Sequence, residues 1–465
     1  MYLTVLCKVV DNFGDIGVAW RLCRRLAKIQ SKYKICLVVD DLEAFAKIED
    51  RLPRHPAQVP DSVEGRNDES SVITSSGEPV IAEREEPAIA SNDTPVIART
   101  PSGAKRTKQS VIIDDIEIFH WHDDELCHEV FSRNDGEKLS LILELFQCGR
   151  PDWMERILFE EKLQRTVQII MIDYLTAEKY AEDFHCLQSL TRSSKVKKVN
   201  FMPGFTEKTG GLVIDEEWQE LSPYNADGNI LVFTYENDWQ MLAKALVDYC
   251  EKDSKKVMLA QGRGKESFMN AVKACGAEKF VEELPYLNQT EWDKMMKSCS
   301  ALVIRGEESM SRACLSGIPF IWQAYPQSDE YQLVKVSALL ERMRAHFDQA
   351  DFEIVEKAWI AINTDSGLPR RCAPLNDEVL SEASSLRPST GSGNGAEYSL
   401  SSQGADCYSS LRAEGEAIHS SDYTNFFNSL SRLCPGFVSF AMSLRKNGDL
   451  AANLMTYIEK LAIIL

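Results

Sequence analysis

Short apolar runs alternate along this chain with stretches in which apolar residues recur every three or four positions. Residues 3–10 form a β-rich run, 11–17 a glycine-containing turn, and 18–29 carry apolar side chains at helical spacing. Residues 34–39 make a second run ending at Asp40 and Asp41, and 42–48 again show helical spacing. Strand, helix, strand, helix in that order predicts a parallel sheet and an α/β fold. Further strands are expected at 116–120, 139–146 and 167–172. A second α/β block starts near Gly210, with strands at 229–234, 256–260 and 301–304. Helices are expected between them at 239–251, 267–275 and 291–299.

Two stretches break the pattern. From about residue 53 to 110, Ser, Pro, Glu and Asp dominate and PVIAERE is nearly repeated as PVIARTP, which predicts a disordered insert. A second insert, rich in Ser and Gly, occupies most of 366–421. The expected organisation is a Rossmann-like domain over 1–205, another over 206–365, the second insert, and a helical segment over 422–465 packing back on the first domain. A length of 465 residues suits two cores.

The net charge of −19 argues against general binding to nucleic acid or membrane surfaces, both anionic. It leaves room for a local basic pocket. The 13 cysteines are odd in number and lack a paired C-x-x-C framework, so reduced thiols are expected rather than disulfides or a zinc ribbon. The N-terminal apolar run has no basic region before it and meets Asp11 at once, so it reads as a first strand rather than a signal peptide. No run approaches the roughly 18–20 apolar residues of a membrane span. A cytoplasmic monomer is the expectation.

Asp11-Asn12-Phe13-Gly14-Asp15-Ile16-Gly17-Val18 follows the first strand, at the end of the sheet where ligands bind in open α/β folds. Its glycines permit close backbone approach, and its two carboxylates supply a base and a partner, or else caps for the turn and helix. Ile304-Arg305-Gly306-Glu307-Glu308-Ser309 follows a later strand and opens a helix. An Arg, a Gly and a Ser at a helix start suit a nucleotide-sugar diphosphate, and an N-capped surface helix with an Arg–Glu pair is the plainer alternative. Trp322-Gln323-Ala324-Tyr325 delivers an aromatic loop, in which Tyr325 can meet a phosphate or simply pack. The turn-rich stretch 201–211, containing Phe205, links the two blocks, and Tyr286 and Gln289 offer stacking and hydrogen bonding to a base. His120-Trp121-His122 and Gln261-Gly262-Arg263-Gly264-Lys265 are set aside, the first for want of a third metal ligand, the second for lack of phosphate-loop spacing.

DNFGDIGVAWRL at 11–22 and RGEES at 305–309 resemble the EarP family, protein-arginine rhamnosyltransferases that modify translation elongation factor P. Collinear matches include Val39-Asp40-Asp41-Leu42, Glu144-Leu145-Phe146, Asp173-Tyr174-Leu175-Thr176-Ala177-Glu178, PGFTEKTGGL at 203–212, Phe233-Thr234-Tyr235-Glu236-Asn237 and WQAYPQ at 322–327. The resemblance implies a GT-B fold, with two Rossmann-like domains facing a cleft, and inverting transfer of L-rhamnose from dTDP-β-L-rhamnose to one arginine of that factor. It implies no cofactor and no metal. It implies Asp15 as general base, Asp11 as its companion acid and Glu307 as catalytic glutamate. It assigns the donor to Arg305, Ser309, Tyr325, Tyr286 and Gln289, and Glu308, Phe205, Asn12 and Gly14 are further expected donor contacts. The chain departs from the family pattern at Glu308, usually Asp, and at Met310, Cys314 and Gln323, usually Phe, Gln and His. Rival readings are another GT-B transferase or epimerase, and an inactive binding protein, which would be expected to lack the acids retained here.

Overall fold

The computed structural model describes residues 1–10, 13–52, 111–161, 163–221, 223–327, 330–364 and 420–464. The first insert, nearly all of the second, and Asp11 and Asn12 lie outside the described residues.

The N-terminal half runs β1 (Tyr2–Cys7), α1 (Gly14–Ile29), β2 (Lys34–Val39), α2 (Leu42–Ile48), β3 (Val111–Ile113), β4 (Ile116–His120), α3 (Asp124–Ser132) and β5 (Leu139–Leu145). It continues with α4 (Asp152–Phe159), β6 (Thr166–Ile172), α5 (Tyr180–Phe184), β7 (Gln188–Ser189) and β8 (Val196–Phe201). The C-terminal half runs β9 (Ile230–Val232), α6 (Gln240–Asp253), β10 (Val257–Leu259), α7 (Lys265–Ala274), β11 (Val281–Glu283), α8 (Gln289–Ser298), β12 (Ala301–Arg305), α9 (Glu307–Ser316) and β13 (Phe320–Gln323). Helices α10 (Tyr331–Arg344), α11 (Gln349–Asn363), α12 (Ser420–Asn428), α13 (Leu430–Lys446) and α14 (Leu450–Ile464) complete it.

Among the described residues the strands form two sheets. The first is ordered β3-β4-β2-β1-β5-β6-β8-β7, parallel apart from its antiparallel edges β3 and β7. The second, β11-β10-β9-β12-β13, is parallel throughout. The central strands bury both faces, which is why KICLVV and LSLILEL read as nearly unbroken apolar runs. In each sheet the winding reverses beside its first strand, between β1 and β5 and between β9 and β12. The loops leaving those neighbours diverge and open a crevice at the carboxyl ends, which is where both sequence motifs fall.

The observed α1 starts at Gly14, four residues before its expected start at 18, so Asp15 lies in its first turn rather than in a loop. The tail also departs from expectation. Tyr423, Phe426, Phe437 and Phe440 of α12 and α13 join the core of the C-terminal half. Only α14 crosses back, placing Leu450, Leu454 and Ile458 in the core of the N-terminal half. Two doubly wound sheets bridged by a returning C-terminal helix make a GT-B architecture. Among the described residues no helix is long and apolar enough to cross a membrane.

Candidate active site

Asp15 is 3% exposed, and its Oδ2 accepts the Val10 amide at 2.8 Å. It sits at the positive end of α1, where a negative charge is favoured. Tyr174 lies just beyond β6, close enough to Asp15 for the carboxylate to act on its phenol. Burial pushes the Tyr174 phenol's pKa up, and the charges of Asp15 and Glu307 push it further. Glu307 belongs to the other half, at the first position of α9, so one phenol feels carboxylates from both sides of the crevice. The same Glu307 acts on Tyr180, whose pKa is pushed up to about 12 by burial and then by Glu178 and Asp173. Lys335 Nζ on α10 lies 3.4 Å from Glu307 Oε1.

The opposite wall is built around Arg305. Strand β12 delivers it, and Gly306, with φ of +73°, turns the chain into α9 in a conformation that suits glycine. The Arg305 guanidinium lies 4.3 Å from the ring centre of Phe233 and 4.4 Å from that of Tyr235, both just past the neighbouring β9. Its Nε is buried without a hydrogen-bond partner among the described residues. A cation clamped by aromatic faces and short of acceptors is ready for an anion. Tyr325 packs edge-on against Tyr235 at 5.3 Å, and Ser309 is buried in the first turn of α9. The Gly262 segment, set aside on spacing, turns out to underlie the clamp. A Cβ at Gly262 would come within 2.9 Å of Phe233 and 3.3 Å of Arg305 Nη2.

A third cluster joins the halves. Arg21 on α1 bonds Glu308 Oε1 through Nε at 2.7 Å and Asp293 through both terminal nitrogens at 2.8 and 3.0 Å, and it pairs with Asp215. Burial alone would lower the Arg21 pKa, but Glu308, Asp293 and Asp215 together raise it. Burial likewise raises the Asp215 carboxyl, and the charges of Arg21 and Arg312 bring it below its ordinary value.

Arg305 and the amino end of α9 can neutralise a diphosphate, while the Asp15 side can hold a cation or accept its proton. A family model described as Elongation-Factor P (EF-P) rhamnosyltransferase EarP matches residues 3–83 and 88–459. The chain belongs to the EarP family. The protein-arginine rhamnosyltransferase of Shewanella oneidensis is 26% identical over 404 residues, 77% of this chain and 84% of that one. Its counterpart in Pseudomonas aeruginosa is 27% identical over 399 residues, 78% of this chain and 87% of that one. A solved structure concerned with EarP-mediated arginine glycosylation of translation elongation factor EF-P aligns over 99% of both chains, at 13% identity and a TM-score of 0.44.

Within this EarP chain, Asp15, Glu307, Arg305 and Ser309 stand at or beyond the carboxyl ends of central strands, Tyr325 follows the edge strand β13, and Gly14 is the first residue of α1. Other expected donor contacts sit differently. Phe205 is buried in the core of the C-terminal half and stacks on Phe440 at 6.5 Å, so packing occupies its ring. Glu308 is committed to Arg21 and lies 3.7 Å from Arg312, which makes it part of the joint. Gln289 donates from Nε2 to the Gly17 carbonyl at 3.0 Å, while its Oε1 is buried without a partner among the described residues. Tyr286 is 67% exposed in the loop before α8. Asp11 and Asn12 fall outside the described residues. The sequence reading gave no role to Phe233, Tyr235 or Tyr174, although all three lie in segments that match the EarP pattern. An aromatic immediately after a central strand was the available signal.

Proposed function

We propose that this EarP-family chain transfers L-rhamnose from dTDP-β-L-rhamnose to an arginine of translation elongation factor P, with inversion. The observation that supports this reading best is Arg305, clamped between Phe233 and Tyr235 with its Nε buried and without a partner among the described residues, while the buried Asp15 stands where the first sheet's strands end. In this reading Arg305 and the amino end of α9 take up the charge of the leaving diphosphate. The acceptor nitrogen attacks the anomeric carbon from the opposite face, the bond to dTDP breaks, and the nucleotide leaves with the electron pair. A guanidinium has a pKa above about 12, so a carboxylate must hold and polarise it as its proton departs. Asp15 is that carboxylate, and Glu307 orients the sugar beside it. The reaction takes place in the cytoplasm, where the factor works.

The test is to incubate the protein with dTDP-β-L-rhamnose and the elongation factor P of the same organism and record the factor's intact mass. A deoxyhexose increment that fragmentation places on arginine is the expected result. An unchanged mass, with donor consumed or not, overturns the acceptor assignment.

A further inference from the structure

Two consecutive non-glycine residues just past β5, Phe146 and Gln147, hold φ of +54° and +53°. A bulky residue in that region is strained, and such strain gathers at functional sites. Here it is held by a dedicated set of bonds. The Phe146 amide donates to the Ile172 carbonyl at 2.8 Å, and the Cys148 amide to the Leu145 carbonyl at 3.0 Å. Gln147 Nε2 donates to Asp173 Oδ2 at 2.9 Å, and Asp173 Oδ1 accepts the Tyr174 amide at 2.8 Å. The result is a stacked aromatic pair, with the Phe146 and Tyr174 ring centres 4.7 Å apart and their planes inclined by 27°.

The pair stands at the crevice of the first sheet. Strand β5 lies between β1 and β6, so residue 146 is beside the Asp15 turn and residue 174 is one strand further on. Tyr174 is 37% exposed, and the charge of the nearby Asp15 raises its phenol pKa. Asp173 borders the same pair, and Glu307 acts on it from across the crevice. An aromatic surface edged by carboxylates is complementary to one common kind of group, a planar cation. A guanidinium stacks on such a surface while its edge N–H groups reach the acids, and a lysine ammonium, being compact and strongly hydrated, makes less of it.

We propose that Phe146 and Tyr174 form the seat of the acceptor guanidinium, which lies against the aromatic pair with its edge toward Asp15 and Asp173. The proposal rests on the reading that an arginine is the acceptor. It adds a specificity device: the strained turn fixes a flat surface beside the Asp15 carboxylate.

The test compares wild type with Phe146→Leu, which keeps apolar bulk and removes the ring, and Phe146→Tyr, which restores it. Ligand-observed NMR measures binding of acetyl-arginine-amide and its neutral isostere acetyl-citrulline-amide, and transfer kinetics with elongation factor P run alongside. The leucine variant is expected to bind the arginine probe about tenfold more weakly with the citrulline probe unaffected. It is also expected to raise the acceptor KM by a similar factor with kcat within about twofold, and the tyrosine variant to recover both. Unchanged arginine-probe affinity and KM overturn the proposal, as does equal weakening of both probes. If wild type glycosylates no arginine of the factor, the acceptor reading fails, and the probe comparison still decides whether a guanidinium seat exists.

Discussion

Asp15 and Arg21 are both 3% exposed and both lie on α1, yet their surroundings differ in kind. Around Arg21 charge is matched within the protein: three carboxylates from the C-terminal half close on one guanidinium, with Arg312 alongside. Asp15 accepts the Val10 amide, and its charge acts with that of Glu307 on the Tyr174 phenol. A cluster whose charges are met from within holds a joint together. Asp15 and Glu307 sit instead where strands end at the crevice, with Lys335 on the Glu307 side. The neighbours Glu307 and Glu308 divide in the same way, the first paired with Lys335 at the crevice and the second with Arg21.

Breaking the joint should cost the most stability. Arg21→Met leaves the buried Asp293 and the half-buried Asp215 and Glu308 without their shared cation, and a loss of about 3–5 kcal/mol is expected in urea unfolding. Arg305→Gln tests the other side of the comparison. Transfer should fall about 10²–10³-fold, with weakened donor binding in calorimetry and a melting temperature close to wild type. Acid should distinguish the joint more gently. The Asp215 carboxyl is held below its ordinary value, so its contribution is complete above the unfolded carboxylate range and is lost as pH falls through the folded value. Urea midpoints taken from about pH 6 down to about pH 3 should therefore drop more steeply for wild type than for Arg21→Met. The smallest effect belongs to Glu308→Asp, which shortens one arm of the cluster and restores the residue usual in the family. A change of about 1 kcal/mol or less in stability and a near-normal transfer rate are expected. A loss of transfer as large as that for Arg305→Gln would move Glu308 from the joint to the donor.

The central strands were legible because burial on both faces leaves an apolar signature, as in LSLILEL of β5. Strand β8 was not, since Lys197 and Lys198 interrupt VKKVNF beside the short edge strand β7. Asp15 and Arg305 could be picked out because each follows a strand and sits where a helix begins. The Arg21 cluster could not, as its partners lie 194, 272 and 287 residues away and no local rule connects them. The packing of Phe205 was hidden for a related reason: its turn-rich setting gives no sign of Phe440 on a distant helix. The stack of Phe146 on Tyr174 depends on β5–β6 adjacency and on a left-handed turn without glycine, neither of which a sequence announces.

The division of labour across the crevice is tested most directly by single-turnover transfer with Asp15→Asn at saturating dTDP-β-L-rhamnose, together with the variant's donor affinity. The account predicts a rate lowered by about 10²–10⁴-fold with donor affinity unchanged. A rate near wild type, or a loss that follows donor affinity instead, would contradict it.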